Sequence, residues 1–545
     1  MRKGNNLSKL LAGILITSLT TITIGCGASN GDNPQQSGTT TITPGEPQKG
    51  GTVTIAVDGE PDTLDTHKTH TGIASSLIAD FFGASLLYLD PETKTLQPSL
   101  AESYTISDDR KAWTFKLRKD VTFSDGTPLT AKIYSDTFNR MLEPEHLAAT
   151  AASFYDGLSR AEAPDDETLI LHFDRPSAPI LTYLSMPAYA QPMPVDLIKK
   201  TGDEYGRKPV GVGPWQVTEW KTGESIALVR NDGFNLGAAY YKNQKAPYLD
   251  GLIFRFIKDA QTVKAALESG SVDIAYNLNG KVAKSFRDNP KYQVLEELNN
   301  GEVFLGMNLQ DKRFQDPAVR RAISYAINKE AIVQAALQGE GVAAHSPLAN
   351  SIFGFDPASA DYDYKYNVEQ AKKELENAGW TLNGEGVREK DGQQLRVSLI
   401  IRETRALEGQ LIQSMLAEIG IKVKNQQLEG GAYYDAANKK TFDLIIGQYG
   451  DVDPDILYYL FHSTQSGNKY SINDAQLDDL LVKARSTFEQ DKRVATYKDV
   501  QKLIIDQAYV VPLYVQINFI VINSKVKDVK YGNNALMLND AWISK

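Results

Sequence analysis

Apolar and polar residues first alternate along this chain and later recur at helical spacing, and the change of period marks its elements. TVTIAV at 52–57, AWTFKL at 112–117 and TLILHF at 168–173 alternate; in the second, Trp113, Phe115 and Leu117 are interleaved with Thr114 and Lys116. A period of two predicts strands with one buried face. After Asp316 the period lengthens. Val319, Ala322, Ile323, Ala326 and Ile327 share one helical face, with Asp316 as N-cap and Pro317 in the first turn. Leu407, Leu411, Met415 and Ile419 predict another helix, handing over at Gly420 to a strand at Ile421-Lys422-Val423. FDLII at 442–446 predicts a strand ending at Gly447. Strand-helix-strand order of this kind predicts an α/β layer with a parallel sheet. YVVPLYV and INFIVI near the C-terminus read as further strands.

The 545 residues exceed what one compact core usually organises, so two or three domains are expected. Hydrophobic residues at 42% and charged ones at 23% suit a folded globular chain. A net charge of -10 without any Lys/Arg-rich run argues against a nucleic-acid partner. Arg2, Lys3 and Lys9 precede an apolar stretch from Leu10 to Ile24, the order of a secretory signal, too short to span a bilayer comfortably. It stops at Gly25-Cys26, and TITIGCG resembles the lipobox of bacterial lipoproteins. Cys26 is the sole cysteine, so it has no internal disulfide or thiolate metal site to join, and lipidation is its expected use. Residues 1–25 are therefore expected to be a signal peptide. Residues 26–49, rich in Gly, Ser, Thr, Pro and Asn, are expected to be a flexible linker. The remainder reads as a globular body leashed to the outer face of the cell membrane.

Catalytic and metal chemistry finds little purchase. The histidines, at 67, 70, 146, 172, 345 and 462, are scattered, and no H-E-x-x-H or C-x-x-C is present. His67 and His70 lie three apart, but exposed loop histidines are the better reading. No metal and no cofactor is expected. There is no G-x-S-x-G and no P-loop. Lys221-Thr222-Gly223 spells the K-T-G of penicillin-binding enzymes, yet the S-x-x-K matches at Ser466–Lys469 and Ser524–Lys527 follow it where that class needs one to precede it. Residues 221–223 read as a strand-connecting turn, and a surface-anchored enzyme is the weaker alternative.

Five stretches point together in one direction: 101–131, which contains AWTFKLRKDVTFSDGTPLTA, KPVGVGPWQVTEWKTGESIALVRND at 208–232, ALESGSVDI at 266–274, FQDPAVRRAISYAINKEAIV at 314–333, and the surroundings of QYGDVDPD at 448–455. In this order they resemble the family 5 extracellular solute-binding proteins, the dipeptide- and oligopeptide-binding components of ABC importers, from about residue 50 to the C-terminus. The resemblance implies a periplasmic-binding-protein-like α/β fold of the three-domain peptide-binding type with hinge closure. Domain I would take 50–92, 205–290 and 495–545, domain II 93–204 and domain III 291–494. It implies a monomer that passes a peptide to permease and ATPase subunits, holding it largely through backbone hydrogen bonds. Nickel chelates, oligosaccharides and other small solutes remain alternative ligands on the same fold. By resemblance, Thr71, Gly72, Ile73 and Ala74 line one edge of the cleft, and Gly447, Gln448, Tyr449, Gly450 and Asp451 the other, with Asp451 taking the ligand ammonium. Arg402 or Arg405, the latter preferred, is expected to meet a ligand carboxylate.

Asp451, Asp453 and Asp455 imitate the start of an EF-hand loop. Ile456 stands at the glycine position and His462 at the glutamate position, so calcium is not expected. Asp453 before Pro454 is expected to form a turn and Asp455 to cap a helix, leaving Asp451 for the ligand.

Overall fold

The computed structural model describes residues 45–69, 77–93, 95–146, 154–533 and 535–544. One large sheet organises the body. Its strands, in chain order, are β1 (Thr52–Val57), β2 (Trp215–Lys221), β3 (Ser225–Arg230), β4 (Gly251–Phe256), β5 (Ile274–Ala275), β6 (Tyr292–Met307), β7 (Gly341–Ala343), β8 (Arg396–Arg402), β9 (Lys422–Leu428), β10 (Leu444–Gly450) and β11 (Val510–Asn523). Across the sheet the order is β9-β8-β10-β6-β11-β5-β1-β4-β3-β2, with β7 added against β11. The expected parallel pairs exist at β1 with β4 and β5 and at β8 with β9 and β10. The middle is antiparallel, at β6 with β10 and β11 and at β5 with β11, so the sheet is mixed where a parallel one was expected.

β6 and β11 connect two cores. Their ends at 292–298 and 517–523 pack into a basal core with Val53, Ile55, Phe254 and Leu267. Their opposite ends, Val303–Met307 and Val511–Tyr514, pack into a distal core with Ile323, Leu399, Leu416 and Leu444. Between these ends the pairing slips. Leu298 faces Ile517 and Glu302 faces Val515, so Asn299, Asn300 and Gly301 stand against Gln516 alone. Such a bulge bends a strand and releases local ladder bonds, a natural place for a hinge. The segment read as two C-terminal strands is one strand of 14 residues; Pro512, which offers no N–H, is accommodated by a second slip between Val303 and Phe304.

An inserted core lies between β1 and β2 in the chain. Four antiparallel strands, ordered Ala101–Ile106, Ala112–Leu117, Thr168–Phe173 and Leu158–Glu162, carry α1 (Ala131–Met141) and enclose Trp113, Phe115, Tyr134 and Phe138. Trp113, Phe115 and Leu117 point inward, as the alternation predicts. A short α2 (Ile180–Tyr183) follows. The 221–223 stretch is the β2–β3 hairpin turn, with Gly223 at φ +73° and Glu224 N–H donating to Lys221 C=O.

The distal core carries α3 (Pro317–Ala326), α4 (Ala406–Glu418), α5 (Ile456–Phe461) and α6 (Gln490–Asp506). Asp316 caps α3 by accepting from the Ala318 N–H, as its sequence predicts. α4 sits in register with its expected span but rolled about its axis. Glu408, Gly409, Ile412 and Leu416 are its buried positions, while Leu407 is 43% exposed. The domain cut expected at 494/495 falls inside α6, whose Tyr497, Val500 and Ile504 are buried in the distal core. Residues 47–545 form one compact unit, and none of the described helices is long and apolar enough to cross a membrane.

Candidate functional site

Where the basal and distal cores meet beside the hinge, a cavity of about 680 Å³ opens between them. Asp58, Tyr276 and Asn277 line it from the basal side, Thr404 and Leu407 from the distal side, and Asn299, Gln516 and Asn518 from the hinge itself. The roll of α4 explains why Leu407 is exposed: it forms part of this wall. Amide side chains donate and accept hydrogen bonds at once, so the hinge offers both halves of the pairing that a peptide group or another polar solute requires.

β10 approaches this region through Gln448, but none of Gly447, Gln448, Tyr449, Gly450, Asp451 or Arg402 lines the cavity. Gly447 is packed so tightly that a Cβ there would lie 3.2 Å from the Tyr470 hydroxyl and 3.3 Å from Phe304. Gly450 meets the bulge of β6: a Cβ would lie 2.8 Å from both Cα and N of Gly301. Gln448 reaches Gln516, with 3.4 Å between its Nε2 and Gln516 Oε1. Tyr449 is partly buried against Tyr459, and burial raises its phenol above its usual range. Arg405, at the start of α4, does not line the cavity. Its guanidinium is buried, donates to Gln448 Oε1 and the Tyr514 hydroxyl, and lies 3.6 Å from Glu408, to which Tyr514 also donates at 2.8 Å. Arg405 therefore reaches the cavity through Gln448 and Gln516. Arg402 is exposed, its guanidinium 5.9 Å from the centre of the Tyr434 ring.

The three aspartates have three different environments. Asp451 is 8% exposed; its Oδ2 accepts from the Tyr183 hydroxyl at 2.8 Å and its Oδ1 from the Val452 N–H at 2.6 Å. Burial, reinforced by the nearby Asp453 and Asp455 carboxylates, pushes its acid up to about 8 against the hydrogen bonds from Tyr183 and Val452. Asp453 is 0% exposed and held in a bidentate pair by Arg493, at 2.9 and 2.6 Å, with Thr182 donating to it at 2.9 Å and Asp455 N–H at 2.9 Å. That last bond is the turn expected before Pro454. Asp455 occupies the N-cap position of α5 but its side chain makes no cap, contrary to expectation; its Oδ2 lies 3.3 Å from Arg485 and its Oδ1 accepts from Tyr497 at 3.3 Å. Burial pushes its acid up to about 6 despite the Arg485 charge. Thr182 and Tyr183, consecutive in α2 beside the inserted core, thus place one hydroxyl on each of two alternate aspartates of the distal side. No sequence motif marks either residue.

Two further cavities flank this latch and share Val452. One of about 200 Å³ is lined by Asp80, Tyr88, Trp215, Tyr240 and Tyr241, and one of about 520 Å³ by Tyr104, Thr182, Asn300, Phe353 and Arg493. Thr71, Gly72, Ile73 and Ala74 lie outside the described residues, as does Cys26. His67 corrects another expectation: it is buried, not an exposed loop residue.

The family model for bacterial extracellular solute-binding proteins, family 5 middle, matches residues 95–471. Oligopeptide-binding protein AppA of Bacillus subtilis is 28% identical over 520 residues, covering 92% of this chain and 93% of that protein. Heme-binding protein A of Haemophilus influenzae is 29% identical over 461 residues, covering 79% and 81%. The solved structure of the B. subtilis AppA protein with a nonapeptide superposes with a TM-score of 0.76 at 26% identity, covering 92% of this chain and 100% of that one.

Proposed function

Since the chain belongs to the family 5 bacterial extracellular solute-binding proteins, we propose that it is the peptide-capturing component of an ABC importer, closing on a di- or oligopeptide and delivering it to a permease. The observation that carries this reading is the cavity of about 680 Å³ walled by both cores and floored by the amides of the hinge. Its size lies in the usual range for small-ligand sites, roughly 300–1,000 Å³. Its donors and acceptors complement a peptide backbone without dictating side chains. Support comes from AppA, which shares most of its length with this chain and was solved around a nonapeptide.

In this reading Asp451 receives the peptide ammonium, and Arg405 orients Gln448 at the cavity edge. Arg402 is the guanidinium with free approach from solvent for a terminal carboxylate. Gly447, Gln448, Tyr449 and Gly450 supply one rim and Thr71, Gly72, Ile73 and Ala74 the other. Domains I and II correspond to the basal and inserted cores and domain III to the distal core, with β6 and β11 as hinge. Cys26 carries a lipid that holds the monomer at the outer face of the membrane.

The test is a thermal-shift panel of short peptides, a nickel–histidine chelate and oligosaccharides on the purified protein. A ligand confined to the folded state at a hundredfold excess over Kd stabilises it by about 2.7 kcal/mol. Peptides are expected to raise Tm; a response to the chelate or the sugars with none to peptides would overturn the assignment.

A further inference from the structure

The turn after α1 places Glu143, Glu145 and His146 within four residues. The His146 N–H donates to the Glu143 C=O at 2.9 Å, so the turn folds back on itself. His146 Nε2 thereby lies 3.4 Å from Glu145 Oε1 and 3.8 Å from Glu143 Oε2, and one donor atom from each of the three residues falls within 4.8 Å of the other two. These separations are long for hydrogen bonds. The Glu145 separation suits two donors sharing one ion, since bonds of about 2.0–2.2 Å at tetrahedral angles set neighbouring ligand atoms about 3.3–3.6 Å apart, and the Glu143 separation is slightly longer, within reach of a small turn of that exposed side chain.

A second observation concerns the imidazole alone. His146 is 2% exposed, and among the described residues neither ring nitrogen has a hydrogen-bond partner. Buried polar atoms are normally satisfied, and a histidine with both nitrogens bare calls for an explanation. A neighbouring imidazole does not provide one. His67 packs with its ring centre 6.2 Å away, and its own buried Nδ1 is also without a partner among the described residues. Nor does the adjacent cation, because Arg140 is spent on a bidentate pair with Asp65 at 3.0 and 2.7 Å. With that pair neutral, the two exposed glutamates leave the turn with a local double negative charge facing a bare nitrogen.

We propose that Glu143, Glu145 and His146 form a binding site for a divalent first-row transition ion of the Zn²⁺ class, apart from the cavities at the hinge and the latch. The imidazole donor favours such borderline ions over Mg²⁺ and Ca²⁺, which prefer all-oxygen shells. The ion would tie the exposed end of the turn to its buried histidine.

The experiment uses the chelator-treated protein and Co²⁺ as a spectroscopic probe. Co²⁺ is expected to bind with visible d–d absorption, Zn²⁺ to displace it stoichiometrically, and a hundredfold excess of Mg²⁺ or Ca²⁺ to leave it in place. His146→Asn should weaken Zn²⁺ at least tenfold. Because His146 is buried, Glu145→Gln on the exposed side serves as the fold-neutral variant and should weaken Zn²⁺ by a similar factor. Undiminished Zn²⁺ affinity in Glu145→Gln, displacement by Mg²⁺ or Ca²⁺, or no Co²⁺ spectrum at millimolar concentration would each overturn the proposal.

Discussion

Glu302 stands on β6 beside the bulge, 2% exposed, and among the described residues neither carboxylate oxygen has a hydrogen-bond partner. Burial pushes its acid well above the ordinary carboxylate range, the Asp363 charge adds to this, and Lys329 opposes it. The folded protein therefore keeps a proton that the unfolded chain loses above about pH 4.3. Stability from this group is full below that value and declines as pH rises toward the folded value, at up to about 1.4 kcal/mol per pH unit. Glu302→Gln should gain on wild type as pH rises from 5 to 8 and match it near pH 4; parallel Tm curves would count against this. Asp451 obeys the same rule, and the proposed ammonium site depends on it. With its acid pushed up to about 8, it is largely protonated at pH 7. A peptide ammonium arriving there would favour the carboxylate and expel a proton. Calorimetry at pH 7 in phosphate and in Tris should give binding heats that differ for wild type and agree for Asp451→Asn. Equal heats for wild type in both buffers would remove Asp451 from the ammonium site.

At the scale of elements, β10 and β6 approach each other where Gly450 faces Gly301. A methyl group at 450 would press on backbone, which cannot swing aside as a side chain can. Gly450→Ala is expected to cost about 1–3 kcal/mol by overpacking, read as a fall in denaturation midpoint with the slope unchanged; an unaltered midpoint would show that the hinge yields. Elements were also where sequence reading succeeded and failed most clearly. Strands at 52–57, 112–117 and 168–173 and the capped α3 were legible because each carries its own period and punctuation. The joining of two apparent strands into β11 was not, because Pro512 signals a break and the slip beside it, which skips Leu513 of β11, shows only in the pairing with β6. The latch was half legible. Asp451, Asp453 and Asp455 stood out by charge, but their partners Tyr183, Thr182, Arg485 and Arg493 are 30 to 271 residues away in ordinary helical sequence, and only the fold brings them together. Arg405 was singled out as a ligand group, whereas Tyr514, which claims one of its donors, lies in a strand that looked purely structural.

For the whole molecule, the proposed membrane address rests on Cys26. Two acyl chains buried at about 0.8 kcal/mol per methylene would make membrane attachment effectively permanent. Cys26→Ser should shift the protein from the membrane fraction to the medium in its producing strain, and retention equal to wild type would refute the anchor. Where a leash joins the body then decides how the body can move. β1, the first strand of the body, lies beside β4 and β5 in the basal core, and the strand Trp542–Ile543 packs there too, with Ile543 Cδ1 2.7 Å from where a Cβ on Gly51 would stand. Tension along the leash would therefore enter and be borne by the basal core alone. It would not run along β6 and β11. With a lipid anchor at Cys26, the distal core would in mechanical terms be an unloaded lever that could swing shut on a captured solute however hard the tether were pulled, and drag and crowding at the cell surface would not bias the protein toward release.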